Sequence, residues 1–173
     1  REAAEEQAAR TAVAAVRSGA AQILLKGKIK TAALLKAVLD SEHGLRSSRQ
    51  LSDLFIFEDP SRAGNKLVMI TDGGVTLKPD LKQKIEIIEN AVAVARALGN
   101  DSPRVAVLSA VETVNLALSA TIDAAVLTKM NQRGQIKGCI IDGPLALDNA
   151  ISAEAAALKG IESPVAGKAD ILL

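Results

Sequence analysis

Three polar, glycine-bearing segments hold the residues best suited to grip an anion: Lys26-Gly27-Lys28, Thr71-Asp72-Gly73-Gly74, and Asp142-Gly143-Pro144 running into Leu145-Ala146-Leu147-Asp148. Each follows a short apolar run that reads as a buried strand. Open α/β sheets place ligands there, outside strand carboxyl ends, where helix N-termini offer unpaired N–H groups. Lysines and backbone amides in that position suit a polyanion, although glycines at strand ends also serve any tight turn. Asp142 and Asp148 carry two readings, since a carboxylate after a buried strand can be a ligand or base while Asp is also a routine turn former and N-cap. Ser109 and Glu112 follow another strand, and their capping-box spacing favours Ser109 as the cap of a short helix over a catalytic role.

Rarer chemistry is thinly supplied. His43 and Cys139 are the single histidine and cysteine, so a zinc site or a Ser-His-Asp triad would rest wholly on His43. Cys139 lies in an apolar run and reads as core, because a thiol without a basic neighbour is inert. An internal disulfide is excluded and a reducing cytosol is expected. With Phe55 and Phe57 as the only aromatic residues, base-stacking platforms for single-stranded nucleic acid are absent. Lys+Arg 21 against Asp+Glu 20 gives a net charge of +1, which argues for neither nucleic acid nor membrane. No stretch approaches the roughly 20 apolar residues of a membrane span, and no signal-peptide core opens the chain. The reading is a cytoplasmic globular protein, 49% hydrophobic and 24% charged, with an aliphatic core.

The elements that must position these residues alternate in type. Ala-rich Glu2 to Arg17 predicts a helix with Glu2, Glu5 and Glu6 early and Arg10 and Arg17 later, ended by Gly19. Ile23 to Leu25 predicts a short buried strand, and Thr31 the cap of a helix to about Leu39. Arg46 to Gln50 predicts a hinge. Leu51 to Phe57 and Lys66 to Thr71 predict an antiparallel pair around a Pro60, Gly64, Asn65 turn. Asp80 to Leu98 and Ala120 to Gln132 predict helices, Arg104 to Leu108 and Gly138 to Ile141 strands, and Leu145 to Leu158 a further helix. The expected fold is α/β: a layered sheet of mixed parallel and antiparallel strands with helices on both faces. The chain opens without Met and closes on Asp170-Ile171-Leu172-Leu173, a strand without a polar tail, so a piece truncated at both ends is expected.

Several runs together resemble the phosphate acetyl/butyryltransferase family, and its butyryl-preferring branch in particular. They are Ala120-Thr121-Ile122-Asp123-Ala124-Ala125, Arg133-Gly134-Gln135-Ile136-Lys137-Gly138, Asp142-Gly143-Pro144-Leu145-Ala146-Leu147-Asp148-Asn149-Ala150, and Ser163-Pro164-Val165-Ala166-Gly167-Lys168-Ala169-Asp170-Ile171-Leu172. Upstream, Thr31-Ala32, Val38-Leu39-Asp40, Gly44-Leu45-Arg46, Thr71-Asp72, Pro79-Asp80-Leu81 with Lys84, Glu89-Asn90-Ala91 and Ala95-Arg96-Ala97-Leu98-Gly99 agree in order.

The resemblance implies a two-domain, isocitrate dehydrogenase-like subunit, usually dimeric, with residues 1–50 ending the first α/β domain and 51–173 forming most of the second. It implies acyl transfer between coenzyme A and inorganic phosphate without a metal or covalently bound cofactor. A base takes the thiol proton, the thiolate attacks the acyl phosphate carbonyl, and phosphate leaves beside cationic groups. The family's serine-arginine pair and aspartate base lie beyond the stretch matched here by Ala169 to Leu173, so no catalytic residue is assigned and the chain alone is expected to be inactive. The candidates for contact with coenzyme A and substrate are Lys26, Gly27, Lys28, Thr31, Lys36, Thr71, Asp72, Gly73, Ser109, Asp142, Gly143, Pro144 and Asp148. Lys30 stands where a histidine is common, and Lys36 where an arginine is common, which keeps the charge without the bidentate fork. The alternative is a non-catalytic coenzyme A-binding or dimerisation module of a larger enzyme. A nucleotide-dependent oxidoreductase ranks lower, since no G-x-G-x-x-G opens a helix.

Overall fold

Three short apolar runs whose side chains alternate between two faces decide the architecture of the C-terminal part of the chain. In the computed structural model, which describes residues 2–47, 49–60 and 66–173, Val68 and Met69 point to opposite faces of one sheet. So do Ala106 and its neighbours Val105 and Val107, and Ile171 and Leu172. Period-two alternation in which both sets are apolar requires cover on both faces.

The five strands are β1 (Phe55–Asp59), β2 (Lys66–Ile70), β3 (Arg104–Leu108), β4 (Ile140–Leu145) and β5 (Ile171–Leu172), in the order β1-β2-β5-β3-β4. β1 pairs antiparallel with β2, as expected, while β2, β5, β3 and β4 run parallel to one another. The last strand in sequence is thus the central one.

On one face, α3 (Leu81–Ala97) contributes Ile88, Ala91, Val92 and Ala95, and α4 (Ser119–Gln132) contributes Ala124 and Leu127, to a cluster with Met69, Val105, Val107, Ile141 and Ile171. On the other, α5 (Leu147–Ile151) and α6 (Ala153–Leu158) bring Ala150 and Ala156 against Val68, Ala106, Leu145 and Leu172. Each large aliphatic side chain buried this way contributes about 1.5–3 kcal/mol. Asp80 starts α3 with a reciprocal cap: its carboxylate accepts from Gln83 N at 2.8 Å and Gln83 Oε1 accepts from Asp80 N at 3.0 Å.

The chain divides into two compact units, 1–49 and 50–173. The first holds α1 (Glu2–Arg17) and α2 (Thr31–Val38), joined by a small cluster of Ala9, Val13 and Ala37 with Leu24, Ile29 and Leu34. None of the described helices is long and apolar enough to cross a membrane.

Several local expectations are corrected. Ile23 to Leu25 forms no strand; no strand lies among the described residues of its unit to pair with it, and Ile23 and Leu25 are 83% and 90% exposed. Thr31 is the first residue of α2 and not its cap, which is Lys30. β1 begins at Phe55, later than Leu51, and the helix expected over Leu145 to Leu158 breaks at Ser152, whose side chain accepts from Ala155 N to start α6. No helix follows Ser109. Its N–H donates to Leu145 O at 2.9 Å, extending the β3–β4 pairing, and the following loop is held by the buried Thr121 hydroxyl, which accepts from Asn115 N at 2.9 Å. Gly64 and Asn65 of the expected turn lie outside the described residues.

The largest correction concerns Asp142-Gly143-Pro144. The strand expected to end at Ile141 continues through them, because a register shift between Ala106↔Asp142 and Leu108↔Leu145 absorbs the extra residue. They are bulged strand and not a turn. The Gly143–Pro144 peptide is cis, as is Thr71–Asp72.

Candidate functional site

β2, β5 and β3 end together, and the loop after β2 organises the space beyond them. Thr71 continues the ladder, its N–H donating to Leu172 O at 3.0 Å and its hydroxyl to Asp53 O at 2.6 Å. The carboxylate of Asp72 then folds the chain around itself: Oδ1 accepts from Gly74 N at 3.0 Å and Val75 N at 2.9 Å, and Oδ2 from Thr76 N at 3.1 Å. Asp53 Oδ1 accepts from Gly73 N at 2.6 Å.

Charge in this corner is finely set. Burial pushes the Asp72 carboxyl up, but the amides of Val75 and Gly74 and a hydrogen bond from Asp53 more than reverse it and leave it below the usual range. Asp53 moves the other way, raised first by burial, eased by the Gly73 amide, and raised again by its neighbour Asp72. Both follow from one rule, that burial disfavours a carboxylate and donated hydrogen bonds favour it.

Beside this loop lies a cavity of about 170 Å³ lined by Thr71, Asp72 and Thr76, by Leu77, Pro79, Lys84 and Ile87 leading into and along α3, by Val107 and Leu108 of β3, by Ala120 of α4 and by Leu173. Lys84 Nζ is 2.6 Å from Asp123 Oδ2, with the two side chains 18% and 27% exposed. The arrangement offers one paired cation, hydroxyls and an apolar wall at the carboxyl ends of parallel strands, which is where such sheets bind ligands. Among the described residues no three or more His, Cys, Asp or Glu side chains come together as a metal-ligand set.

Of the sequence candidates, Thr71 and Asp72 line this cavity, and Gly73 sits on the exposed side of their loop. Ser109, Asp142, Gly143 and Pro144 lie along β3 and β4; Asp142 Oδ1 accepts from Gly143 N at 2.9 Å, and Gly143 packs against Val107. Asp148 is a surface residue, its carboxyl lowered first by a hydrogen bond from Lys159, whose Nζ is 3.1 Å away.

In the first unit, Lys26, Gly27, Lys28 and Thr31 are exposed, and Lys36 pairs with Glu6 at 3.1 Å beside a separate cavity of about 400 Å³ between α1 and α2. Arg10, Asp40 and His43 also line it. The exposed Asp40 carboxyl is held low, chiefly by the amides of His43 and Glu42.

Lys84, Thr76, Ile87 and Val107 are absent from the sequence-based set. A readable signal existed for one of them. Lys82 and Lys84 sit in the opening turns of α3, where the helix dipole disfavours cations, so a lysine kept there calls for a partner or a ligand.

A family model described as phosphate acetyl/butaryl transferase matches residues 1–173. The chain belongs to this family. It is 51% identical over 168 residues to a phosphate acetyltransferase of Thermotoga maritima, covering 97% of this chain and 56% of the relative. It is 51% identical over 162 residues to a phosphate butyryltransferase of Clostridium beijerinckii, covering 94% and 53%. Among solved structures, a branched-chain phosphotransacylase from Enterococcus faecalis V583 superposes with a TM-score of 0.79 at 36% identity, over 95% of this chain and 58% of that one. A phosphotransacetylase from Streptococcus pyogenes, at 22% identity and a TM-score of 0.71, shares the fold. The chain spans about half the length of the curated relatives it matches.

Proposed function

We propose that this chain forms part of an enzyme that moves a short acyl group reversibly between coenzyme A and inorganic phosphate. The observation that carries the reading is the cavity beyond β2, β5 and β3, where a loop ordered by Asp72 and a paired lysine meet an apolar wall. An acyl phosphate has that same division, an apolar chain on one side of the reacting carbonyl and charged oxygens on the other.

In this reading coenzyme A is a substrate, no cofactor is covalently attached, and the enzyme works in the cytoplasm as a homodimer. Residues 1–49 close the first domain of the subunit and 50–173 form most of the second. The thiolate of coenzyme A attacks the carbonyl carbon, the bond from that carbon to the phosphate oxygen breaks, and phosphate carries away the electron pair. The group that accepts the thiol proton is not assigned within residues 1–173.

The test is release of free coenzyme A thiol from acetyl-CoA and butyryl-CoA with phosphate, by a polypeptide of the relatives' length that carries these residues. Phosphate-dependent release is expected from it and not from residues 1–173 alone. Absence of release with every acyl-CoA rejects the reading.

A further inference from the structure

The loop between β3 and α4, residues 109–118, runs from one wall of the candidate site to another, since Leu108 before it and Ala120 after it both line the cavity. Both ends of the loop are tied. Ser109 N–H donates to Leu145 O, and Asn115 N–H donates to the buried Thr121 hydroxyl, each at 2.9 Å.

Residues 110–114 lie between these ties. None of them belongs to either core cluster of the sheet, and Val114 is 56% exposed, so packing does not hold the stretch. Among the described residues, a single ion pair reaches it: Lys159, the residue that ends α6, has its Nζ 3.4 Å from Glu112 Oε2. The contact spans 47 residues of sequence and ties the loop to the helices on the far face of the sheet.

Lys159 is itself fixed by a second carboxylate, with Nζ 3.1 Å from Asp148 Oδ2. Asp148 first and Glu112 after it raise the lysine's pKa, so its ammonium is charged throughout the neutral range. A lysine already held by Asp148 has lost much of its rotamer freedom before it meets Glu112, and less entropy opposes the second pair.

In the proposed reaction coenzyme A, much larger than the acyl phosphate it attacks, reaches the cavity across its rim, and the loop spanning Leu108 to Ala120 borders that rim. We propose that Lys159 is a positioning residue for this reaction: acting through Glu112, it holds the 109–118 loop where acyl-CoA crosses into the site. The proposal rests on the reading above.

The experiment uses the polypeptide of the relatives' length, its Lys159→Met, Glu112→Gln and Lys159→Arg variants, and the double variant Lys159→Met with Glu112→Gln. Kinetics are measured with phosphate and whichever of acetyl-CoA and butyryl-CoA wild type turns over faster. Elastase, which cuts after small aliphatic residues, reports how firmly the loop is held. Glu112→Gln leaves the Asp148–Lys159 pair in place and so isolates the loop's half of the contact. Lys159→Met and Glu112→Gln should each raise KM for acyl-CoA about two- to fivefold, the span open to a partly exposed ion pair, with kcat and the KM for phosphate close to wild type. Both should be cut within 109–118 faster than wild type. Lys159→Arg keeps the cation and should restore both readouts, and the double variant should be no worse than the more affected single variant, because the two side chains act as one contact.

Wild-type KM in both folded single variants, additive effects in the double variant, or no rescue by arginine overturns the proposal. Faster cleavage with KM unchanged overturns it too, since the contact would then hold the loop without positioning substrate. No transfer by wild type with either acyl-CoA overturns the functional reading, and this inference with it.

Discussion

The carboxyl groups of Asp53 and Asp72 hydrogen-bond each other at the foot of the loop that follows β2. Their pKa values move apart, Asp53 up and Asp72 down, because the loop amides favour charge on Asp72. The signs fix the pH dependence. The depressed Asp72 contributes stability that is full above 3.8 and is lost as pH falls through its folded value, whereas the raised Asp53 contributes stability that is full below 3.8 and is lost as pH rises through its folded value. At neutral pH, Asp53→Asn therefore keeps an acceptor for Gly73 and removes a repulsion, and should raise Tm. Asp72→Asn removes the charged acceptor of three amides, worth about 1.5–3 kcal/mol for charge-assisted bonds, and should lower Tm by several degrees. Thermal melts at pH 7 and pH 4 check both, with the Asp53→Asn difference expected to shrink at pH 4 and the Asp72→Asn difference to persist there and fade only below 3.8. The same response from both variants at pH 7 would contradict the assignment.

At the opposite, amino end of the sheet, Asp170 is 2% exposed, with Oδ1 2.5 Å from Lys66 Nζ and Oδ2 accepting from Arg104 N at 2.7 Å. One carboxylate thus joins the starts of β2 and β3 to β5. Lys66→Met strands a buried charge, which costs about 3–5 kcal/mol where both partners are fully buried. Lys66 is itself 34% exposed, so the lower end, about 3 kcal/mol, is expected. Urea unfolding should give that loss for Lys66→Met, and a double variant with Asp170→Leu should recover part of it. A loss under about 0.5 kcal/mol, the scale of an ordinary surface change, would show the pair to be inert.

Gly143 has no room for a side chain. A Cβ there would stand 2.7 Å from Val107 O and 3.2 Å from Ala124 Cβ, so α4 rests directly on the β4 backbone. Gly143→Ala should push α4 away from the sheet and cost about 1–3 kcal/mol, the usual penalty of overpacking. Gly134→Ala is a useful contrast, since its φ of +71° is strained for alanine but nothing lies within 4 Å. Chemical denaturation should show a lowered midpoint for both. Loosened α4 packing, seen as faster amide exchange across residues 119–132, is expected only for Gly143→Ala.

Helices α3 and α4 of the second unit were legible because their signals are local. Asp80 with Gln83 and the spacing of Ile88, Ala91, Val92 and Ala95 define α3 without help from the rest of the chain. The β1–β2 pair and the strand Arg104–Leu108 were legible for the same reason. Sheet order was not, since β5 is two residues long and takes its central place only through Ile171 and Leu172 meeting two strands at once. The bulge that draws Asp142, Gly143 and Pro144 into β4 depends on contact with Val107, more than thirty residues away in sequence. Ile23 to Leu25 carries a strand's composition but has no partner strand among the described residues of its unit, and composition alone makes no ladder. At the candidate site the polar half was readable in Thr71 and Asp72. The apolar half, Ile87 and Val107, looks like any other core, and only the cavity between them sets it apart.

Cys139 lies one residue before β4, packed against the core, and its carbonyl accepts from Asn131 Nδ2 at 3.0 Å. Burial, with the charge of Glu89 adding to it, pushes the thiol up from 9.0 to about 11. The thiolate is the reactive form, so at neutral pH on the order of a hundredfold less of it is present than for a thiol titrating near 9. Alkylation of the native chain by iodoacetamide at pH 8 should therefore lag the urea-unfolded chain by at least about that factor, since burial also slows access. Because Asn131 fixes the loop 133–139 through Ile136 O and Cys139 O while its Oδ1 accepts from Ile141 N, Asn131→Ala should free that loop. Its Cys139 should then alkylate faster at concentrations of urea too low to unfold the sheet. Equal native rates in the two proteins would mean that Asn131 does not hold the loop over the thiol.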